Sequence, residues 1–438
     1  MHKIKRLIGE RICEDCTREI QNAIDSVYNA GGGTVILNDG EYHLKSILLK
    51  SNVTLYLKAG AYIKGSRNPD DYDISDILIC PEGLDYTAVG ENCPVAYLGR
   101  DFIKPSGSVN PFSRWSRAII KAYRAKNISV IGEDGATFDG QNCYDALGEE
   151  KFRGPHFINF HECDGITLKG YTIKNSSNWA NAMFTSSNIL CEKIRVWAGH
   201  DGIDFLSCDN IVIRDCILQS GDDCLAGFDC NNVLIENCEM NTACNAIRVG
   251  GNNMVIRNCY IHGPGLFGHR NTMTLQEKMD GVVAYATNAR NNMITMFEYY
   301  SDFRYRGRKP AEIVIEDCIV ENCNRLVSNL FSIPRHIWAK NSPLTSITLK
   351  NVKAKGVKDP CLLYASKEFP MKALFVGCDI QIEQANFAIA DNCSVIAFEN
   401  TKIRSIKAPT ITLVSNCDNV VFIDSTKLRK LSGEIQDI

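Results

Sequence analysis

Short runs of alternating apolar and polar residues recur along the chain and are separated by Asn, Asp and Gly. Five of them share one template, a polar residue and Asn followed by Ile-x-Ile, as in "CDNIVIRDC" from residue 208. Their first strand residues are Ile166, Ile189, Ile211, Val233 and Met254, at steps of 23, 22, 22 and 21 residues. Alternation with period two predicts β-strands, and a repeat of this length is typical of a solenoid.

The repeat extends over most of the chain. Earlier turns begin at residues 51 and 126, and later ones at 311, 344, 372, 393 and 417. A unit of 22 residues has no room for a strand, a helix and their loops, which argues against a doubly wound α/β sheet. The pattern therefore predicts an all-β fold, a parallel β-helix in which residues 1–438 form a single domain.

A capping helix is predicted at the N-terminus, within about residues 12–34. Thr17 is placed as its N-cap, and Gly31 to Gly33 end it. Its apolar stripe consists of Ile20, Ala23, Ile24 and Val27. Since a solenoid needs covered ends, this helix is expected to close the first coil.

The segment of about 262–311 breaks the period by about 37 residues and is interpreted as a long loop insertion. It contains aromatic residues and arginines, including "GPGLFGHRNTM" and "MFEYYSDFRYRGRKP". Long loops inside compact domains are commonly functional. We expect it to flank a binding cleft.

Composition and charge narrow the class of partner. The chain has 48 Lys and Arg against 51 Asp and Glu, a net charge of −3, which favours neither a nucleic acid nor a membrane surface as partner. The stretch "MHKIKRLIGERICEDC" has basic residues but neither the apolar core nor the cleavage site of a signal peptide, so a cytoplasmic location is expected. The sequence does not distinguish a monomer from a homo-oligomer.

The 20 cysteines are expected to be reduced, because disulfide frameworks belong mainly to short secreted domains. Many recur at a fixed register in the repeat, which predicts inward ladders of small apolar side chains. Cys13 and Cys16 form a C-x-x-C pair without a second pair at zinc spacing, and we assign it no metal or redox role.

Three carboxylates form the candidate catalytic group. Asp201 precedes Asp222 by 21 residues, about one coil, and Asp223 follows directly. The repeat therefore predicts that all three lie in one patch. Crowded carboxylates repel one another and raise at least one pKa, as acid/base chemistry near neutral pH requires, although Asp also populates ordinary turns.

One coil further on, Asn245 and Arg248 are predicted to lie beside this patch. An arginine in a strand pattern can neutralise the acidic cluster, or its donor fork can bind a substrate oxygen or carboxylate. The sequence leaves both roles open.

The order "NSSNWANAMF…GHDGIDFLSCDNIVIRDC…SGDDCLAGF…NAIRVGG" resembles glycoside hydrolase family 28, the polygalacturonases and rhamnogalacturonan hydrolases. The N-terminal segment resembles the start of bacterial members, so the likeness covers at least residues 15–260. It implies a right-handed parallel β-helix with Asp201, Asp222 and Asp223 as the catalytic carboxylates.

The resemblance implies inverting hydrolysis of pectin-type oligosaccharides without a metal or cofactor. Asp222 would be the general acid, and Asp201 and Asp223 would activate water. The chain departs from the family in having "CNAIRVG" in place of a G-H-G motif and in lacking an R-I-K tripeptide. The identity of the sugar is therefore left open.

Sugar contacts are predicted for six residues around these carboxylates: Trp179, His200, Asn245, Arg248, His269 and Arg270. Trp179 could instead belong to the core, and His200 could satisfy a turn carbonyl. Two alternatives to a hydrolase remain, a calcium-dependent polysaccharide lyase on the same fold and a non-catalytic glycan-binding β-helix.

Overall fold

A computed structural model describes residues 4–8, 12–13, 15–72, 117–268, 272–280, 291–299, 311–331, 343–417 and 419–434. The chain divides into two compact units. The first contains residues 1–221 and 267–285, and the second contains residues 222–266 and 286–438. That the whole chain acts as one domain stays a prediction.

The first unit is built almost entirely of short strands. Its helices are α-helices Thr17–Asn29 and Leu275–Asp280 and 3₁₀ turns Pro69–Asp71 and Glu149–Lys151. Its strands are Ile4–Ile8, Ile12–Cys13, Gly33–Leu37, Gly40–Leu44, Ile47–Leu48, Val53–Leu57, Ala61–Gly65, Ala118–Tyr123, Lys126–Gly132, Thr137–Asp139, His156–His161, Asp164–Lys169, Thr172–Lys174, Asn181–Phe184, Ser187–Glu192, Arg195–Ala198, Ile203–Leu206, Asp209–Arg214 and Ile217–Ser220.

The second unit continues the same pattern with strands alone among its described residues. They are Leu225–Glu236, Glu239–Thr242, Asn245–Arg257, Tyr260–His262, Met293–Glu298, Ala311–Glu316, Ile319–Leu330, Leu344–Lys350, Lys353–Val357, Cys361–Tyr364, Met371–Val376, Asp379–Ile382, Asn386–Asp391, Cys393–Glu399, Lys402–Arg404, Thr410–Leu413, Val420–Ile423 and Arg429–Ser432.

Strands one repeat apart pair in parallel, at the register that the sequence predicts. In the first unit Ile166 pairs with Ile189, and Ile189 with Ile211. In the second unit Val233 pairs with Met254. The predicted all-β class and the parallel β-helix are confirmed.

Asparagines turn the chain between strands. Asn188 and Asn210 have φ of 56° and 57°, the left-handed region that Asn tolerates better than most residues. The Asn210 amide donates to Oδ1 of Asn188 at 3.0 Å, and Asn253 donates to Asn232 at 2.6 Å. Stacked coils thus satisfy the polar side chains of each other's turns.

The interior is filled by apolar ladders one coil apart. Phe375, Phe398 and Phe422 stack with centroid distances of 5.0 and 5.2 Å. Sixteen cysteines of the described residues are buried thiols outside any disulfide, which confirms the predicted inward ladders. Cys16 is disulfide-bonded, so the expectation of a reduced thiol is wrong at that position.

The N-terminal helix runs over Thr17–Asn29 and buries the predicted stripe, while Cys16, not Thr17, is its N-cap residue. Thr17 is used differently: its Oγ1 accepts a hydrogen bond from the backbone N–H of Lys45 at 2.9 Å. Asp15 takes over part of the capping by accepting from the Thr17 N–H at 3.1 Å. Neither α-helix of the described residues is long and apolar enough to cross a bilayer.

The predicted insertion contains regular structure. Strand Met293–Glu298 pairs with strands Asn245–Arg257 and Ile319–Leu330, and helix Leu275–Asp280 lies in the same stretch. The interpretation of residues 262–311 as one long loop is wrong for these segments. Strand Met293–Glu298 thus adds one strand to the parallel pairing of the second unit.

Candidate active site

In the second unit the structure brings Asp223, Asn245 and Arg248 together, as the sequence predicts. Asp223 is buried, and its Oδ1 accepts hydrogen bonds from the Asn245 side-chain amide at 2.9 Å and from the Asn245 backbone N–H at 3.2 Å. Nη1 of Arg248 lies 3.7 Å from Oδ2 of Asp223. Both oxygens of this carboxylate are thus held by named donors or by a cation.

The strand register explains this grouping. Strands Leu225–Glu236 and Asn245–Arg257 pair Leu225 with Ile247 and Ala226 with Arg248, 22 residues apart. Just before these strands, the backbone N–H of Cys224 donates to the carbonyl of Asn245 at 3.2 Å. The same register therefore sets Asp223 against Asn245.

Asp222 is fixed through its backbone. Its carbonyl accepts a hydrogen bond from the Thr242 hydroxyl, which in turn accepts from the Cys244 N–H at 2.8 Å. An oxygen of Asp222, an oxygen of Asp223 and the sulfur of Cys244 all lie within 4.8 Å of one another and are buried. Such a set of donor atoms could hold a cation, with the thiol favouring a softer ion than calcium.

The surroundings of Asp223 act on its acidity in opposite directions. Burial raises the pKa of the Asp223 carboxyl above its ordinary value, because it disfavours the charged form. The positive charge of Arg248 and hydrogen bonds from Asn245 and Cys244 lower this pKa, and the negative charge of Glu298 raises it. The raised pKa is the direction expected of an acid/base group that works above pH 4.

Glu298 is a charged neighbour of the site that the sequence did not predict. Its Oε1 lies 3.9 Å from Nε of Arg248, and the two residues are register partners in adjacent strands. Little in the sequence marks its strand Met293–Glu298, because Ile294 and Met296 are apolar as well as Met293 and Phe297, so apolar and polar residues do not alternate.

Asp201 and His200 belong to the first unit, and both are buried. The Asp201 carbonyl accepts from the Ala180 N–H at 3.0 Å, which fixes the local backbone. The His200 ring lies 5.7 Å from the ring of Phe152 in a small cleft that also contains Lys278. The stacking of Asp201 over Asp222, and the sugar contact of His200, stay predictions.

Gly221 ends the first unit directly before Asp222 and leaves no room for a side chain. A Cβ at this position would overlap the backbone carbonyl oxygens of Gly199 and Gly268. The Gly221 N–H donates to the carbonyl of Ala198 at 2.9 Å. Only glycine fits here without moving the backbone that leads into Asp222.

Three predicted sugar contacts remain, and the structure describes one of them, Trp179. Trp179 is only 5% exposed, and its ring packs against His156 at 5.4 Å and Phe184 at 6.0 Å. These contacts are those of a core residue, and a sugar contact of Trp179 stays a prediction. His269 and Arg270 lie outside the described residues.

Comparisons with known proteins agree with the fold and name a family. Residues 110–250 match the family model of glycosyl hydrolases family 28. A search of curated protein sequences gave no match. The matched segment contains Asp201, Asp222, Asp223, Asn245 and Arg248.

Solved structures with the same fold include three pectin-degrading enzymes of low sequence identity. The exopolygalacturonase of Thermotoga maritima is 16% identical, with 96% of this chain and 92% of that chain covered and a TM-score of 0.57. The family 28 exopolygalacturonase of Yersinia enterocolitica is 14% identical, with coverages of 99% and 79% and a TM-score of 0.60. The endo-xylogalacturonan hydrolase of Aspergillus tubingensis is 13% identical, with coverages of 98% and 100% and a TM-score of 0.58.

These likenesses establish the shared fold, and the family match covers the segment that carries the candidate carboxylates. The sequence-based expectation of a polygalacturonase-like glycosidase is confirmed at the level of the family. The resemblance to glycoside hydrolase family 28 that the sequence predicts is confirmed by the family match over residues 110–250.

Proposed function

We propose that the protein hydrolyses pectin-type oligosaccharides with inversion at the anomeric carbon and without a metal ion. The buried pair Asp222 and Asp223, with Asp223 held by Asn245 and Arg248, is the observation that carries this proposal. The pectic substrate class is supported by the names of the structural neighbours, two exopolygalacturonases and a xylogalacturonan hydrolase.

Asp222 is the general acid that protonates the leaving oxygen. Two carboxylates as close as those of Asp222 and Asp223 do not both ionise readily, because like charges raise the pKa of one partner. In the proposed mechanism Asp222 carries the proton. Burial raises the pKa of Asp223, and Arg248 and the donors of Asn245 act against this effect by favouring the charged form of Asp223.

Asp223 and Asp201 position the attacking water and take up its proton. Inverting glycosidases keep acid and base about 6.5–9.5 Å apart, so that water fits between them and the sugar. Side chains diagonal across adjacent coils, as predicted for Asp201 and Asp222, can reach that gap, whereas an oxygen of Asp223 lies within 4.8 Å of an oxygen of Asp222. No step of this mechanism needs a cation.

A calcium-dependent lyase is the second candidate, and the close carboxylates of Asp222 and Asp223 are the observation that favours it, whereas the thiol of Cys244 beside them suits a softer ion than calcium. A lyase also needs a base that removes a sugar proton. Arg248 does not suit that role, because it lies between the carboxylates of Asp223 and Glu298, which stabilise its charged form. We therefore prefer the hydrolase.

The test is a proton NMR time course with a panel of pectic oligosaccharides, comparing wild type with Asp222→Asn. Hydrolysis should yield the inverted anomer before mutarotation, and the variant should lose at least about 100-fold in rate, the usual size of a general-acid contribution. Asp317→Asn is the matched control, because Asp317 lies in an exposed turn of the second unit.

Addition of EDTA separates the two enzymes. Unchanged hydrolysis in EDTA supports the metal-independent mechanism, whereas an unsaturated product that disappears on chelation would identify the lyase. Oligosaccharide binding without any product, in wild type and in Asp222→Asn alike, would identify a non-catalytic glycan-binding protein and overturn the proposal.

A further inference from the structure

Arg248 lies between two carboxylates. Its Nη1 is 3.7 Å from Asp223 Oδ2, and its Nε is 3.9 Å from Glu298 Oε1. The Arg248 side chain is 19% exposed and that of Glu298 is 25% exposed, so both reach the surface. One guanidinium charge therefore faces two carboxylates at the edge of the candidate site.

The charges of these side chains disfavour a substrate carboxylate next to Arg248, whether Asp222 or Asp223 carries the proton. If Asp222 is protonated, Asp223 and Glu298 together outweigh Arg248. If Asp223 is protonated, Glu298 alone still balances Arg248, and Asp222 adds a negative charge near Asp223. The carboxylates of Asp223 and Glu298 thus leave the Arg248 guanidinium no net positive charge for a substrate carboxylate.

We propose that Glu298 determines the substrate specificity by compensating the charge of Arg248, so that the sugar bound next to Asp223 is neutral and not a uronate. This inference rests on the proposed function of the same site. A uronate there would lose hydration and meet Glu298 without a compensating cation. The guanidinium still donates hydrogen bonds to the hydroxyl groups of a neutral sugar.

Glu298 is well placed to act as a fixed determinant. It ends strand Met293–Glu298 and is the register partner of Arg248 on one side and of Ser328 on the other. The next backbone N–H, that of Tyr299, donates to the Ser328 carbonyl at 2.8 Å. The strand pairing therefore fixes the backbone of Glu298 beside that of Arg248.

The experiment uses two substrates that differ only in charge: galacturonate oligosaccharides, and the same oligosaccharides with their carboxylates reduced to primary alcohols. The ratio of kcat/KM for the reduced and the charged substrate is measured for wild type and Glu298→Gln. Glu316→Gln is the matched control, since Glu316 is 21% exposed, pairs with Lys350 at 3.4 Å and lies away from Arg248 in sequence and register.

We expect wild type to favour the reduced substrate by about 10-fold or more, and Glu298→Gln to lower this preference by about 10-fold, mainly through faster cleavage of the charged substrate. Added salt should weaken the preference of wild type. A wild type that favours the charged substrate, or a ratio unchanged between Glu298→Gln and Glu316→Gln, overturns the inference.

Binding distinguishes failure of this inference from failure of the proposed function. Dissociation constants of both substrates are measured calorimetrically with Asp222→Asn, alone and combined with Glu298→Gln. If wild type hydrolyses neither substrate, the proposed function fails, while a preference for the reduced oligosaccharide that Glu298→Gln removes still supports the charge assignment. Equal binding of both substrates, or binding of neither, overturns it.

Discussion

The side-chain amide of Asn245 donates a hydrogen bond to Oδ1 of Asp223 at 2.9 Å, and the backbone N–H of the same residue donates to the same oxygen. Hydrogen bonds to a carboxylate favour its charged form and lower its pKa, here against the effect of burial. Asn245 thereby keeps Asp223 able to accept a proton from water.

Asn245→Ala should reduce activity and shift its pH dependence. Without the amide, the pKa of Asp223 rises further, so the acidic limb of the pH profile of kcat/KM moves to higher pH. We expect a loss of about 10-fold in kcat/KM at the optimum of the wild type, which corresponds to about one hydrogen bond to a charged group.

The matched control is Asn253→Ala, which removes an exposed amide that bonds only within the turn ladder, to Asn232. It should leave the pH profile unchanged. A profile of Asn245→Ala that overlies the wild type would mean that Asp223 is not the group that must be ionised.

Gly221→Ala should lower kcat without unfolding the chain. The added methyl group meets the backbone oxygens of Gly199 and Gly268, so the backbone before Asp222 must shift. A displacement of about 1 Å at a catalytic group can cost about 100-fold in rate. Circular dichroism of the variant checks the fold, and Gly433→Ala, which meets mainly a side-chain methyl of Thr412, serves as control. Full activity of Gly221→Ala would show that the position of Asp222 tolerates this shift.

The repeat made much of this site predictable. A step of 22 residues joins Asp223 to Asn245, and the structure pairs their coils at that register. Glu298 was not predicted, because it lies 50 residues after its neighbour Arg248 in the chain. This separation is not a multiple of the repeat of about 22 residues. The strand of Glu298 lacks the usual alternation of apolar and polar residues, and the long interruption of the repeat around it favoured a loop.

A competing hydrogen bond explains why Thr17 was wrongly predicted as the N-cap of the N-terminal helix. Thr17 has the side chain of an N-cap, and the sequence contains no sign that the Lys45 N–H would engage its hydroxyl. Gly221 was missed for a similar reason. The carbonyl oxygens that exclude its side chain come from residues 199 and 268, which are brought near it only by the fold.

Asp223→Asn should raise thermal stability while it abolishes activity. The pKa of Asp223 in the folded protein is raised above 3.8, so the folded state binds more protons than the unfolded state between these two pKa values. Stability therefore falls as the pH rises through this window, and the loss persists at neutral pH. Asparagine cannot ionise and avoids it.

We expect Asp223→Asn to melt about 2 °C higher than wild type at pH 7, with the difference vanishing well below pH 3.8, where the carboxyl of wild type is protonated in both states. Calorimetric melts between pH 3 and 7 measure this. Asp317→Asn, at an exposed turn, serves as control. A lower melting temperature for Asp223→Asn at pH 7 would show that its ion pair with Arg248 outweighs the cost of burial.

His161 should make the protein sensitive to acid. Its ring stacks on Phe184 at 4.3 Å with an interplanar angle of 3°, and its Nε2 is buried without a hydrogen-bond partner among the described residues. Burial, and to a lesser degree the nearby His156, lower the pKa of His161 to about 3. Between pH 6.5 and about 3 the unfolded chain therefore binds a proton that the folded chain does not, and stability falls as the pH falls through this window.

His161→Phe removes the titrating group and keeps a flat ring on Phe184. We expect its acid-unfolding midpoint, followed by circular dichroism, to lie about 0.5 pH unit below that of wild type, while stability at pH 7 changes little. His262→Phe is the control, because His262 also stacks on an aromatic ring, Tyr260 at 4.5 Å, but is partly exposed. If both variants unfold at the wild-type pH, protonation of His161 does not drive acid unfolding, and another buried group must bind the proton first.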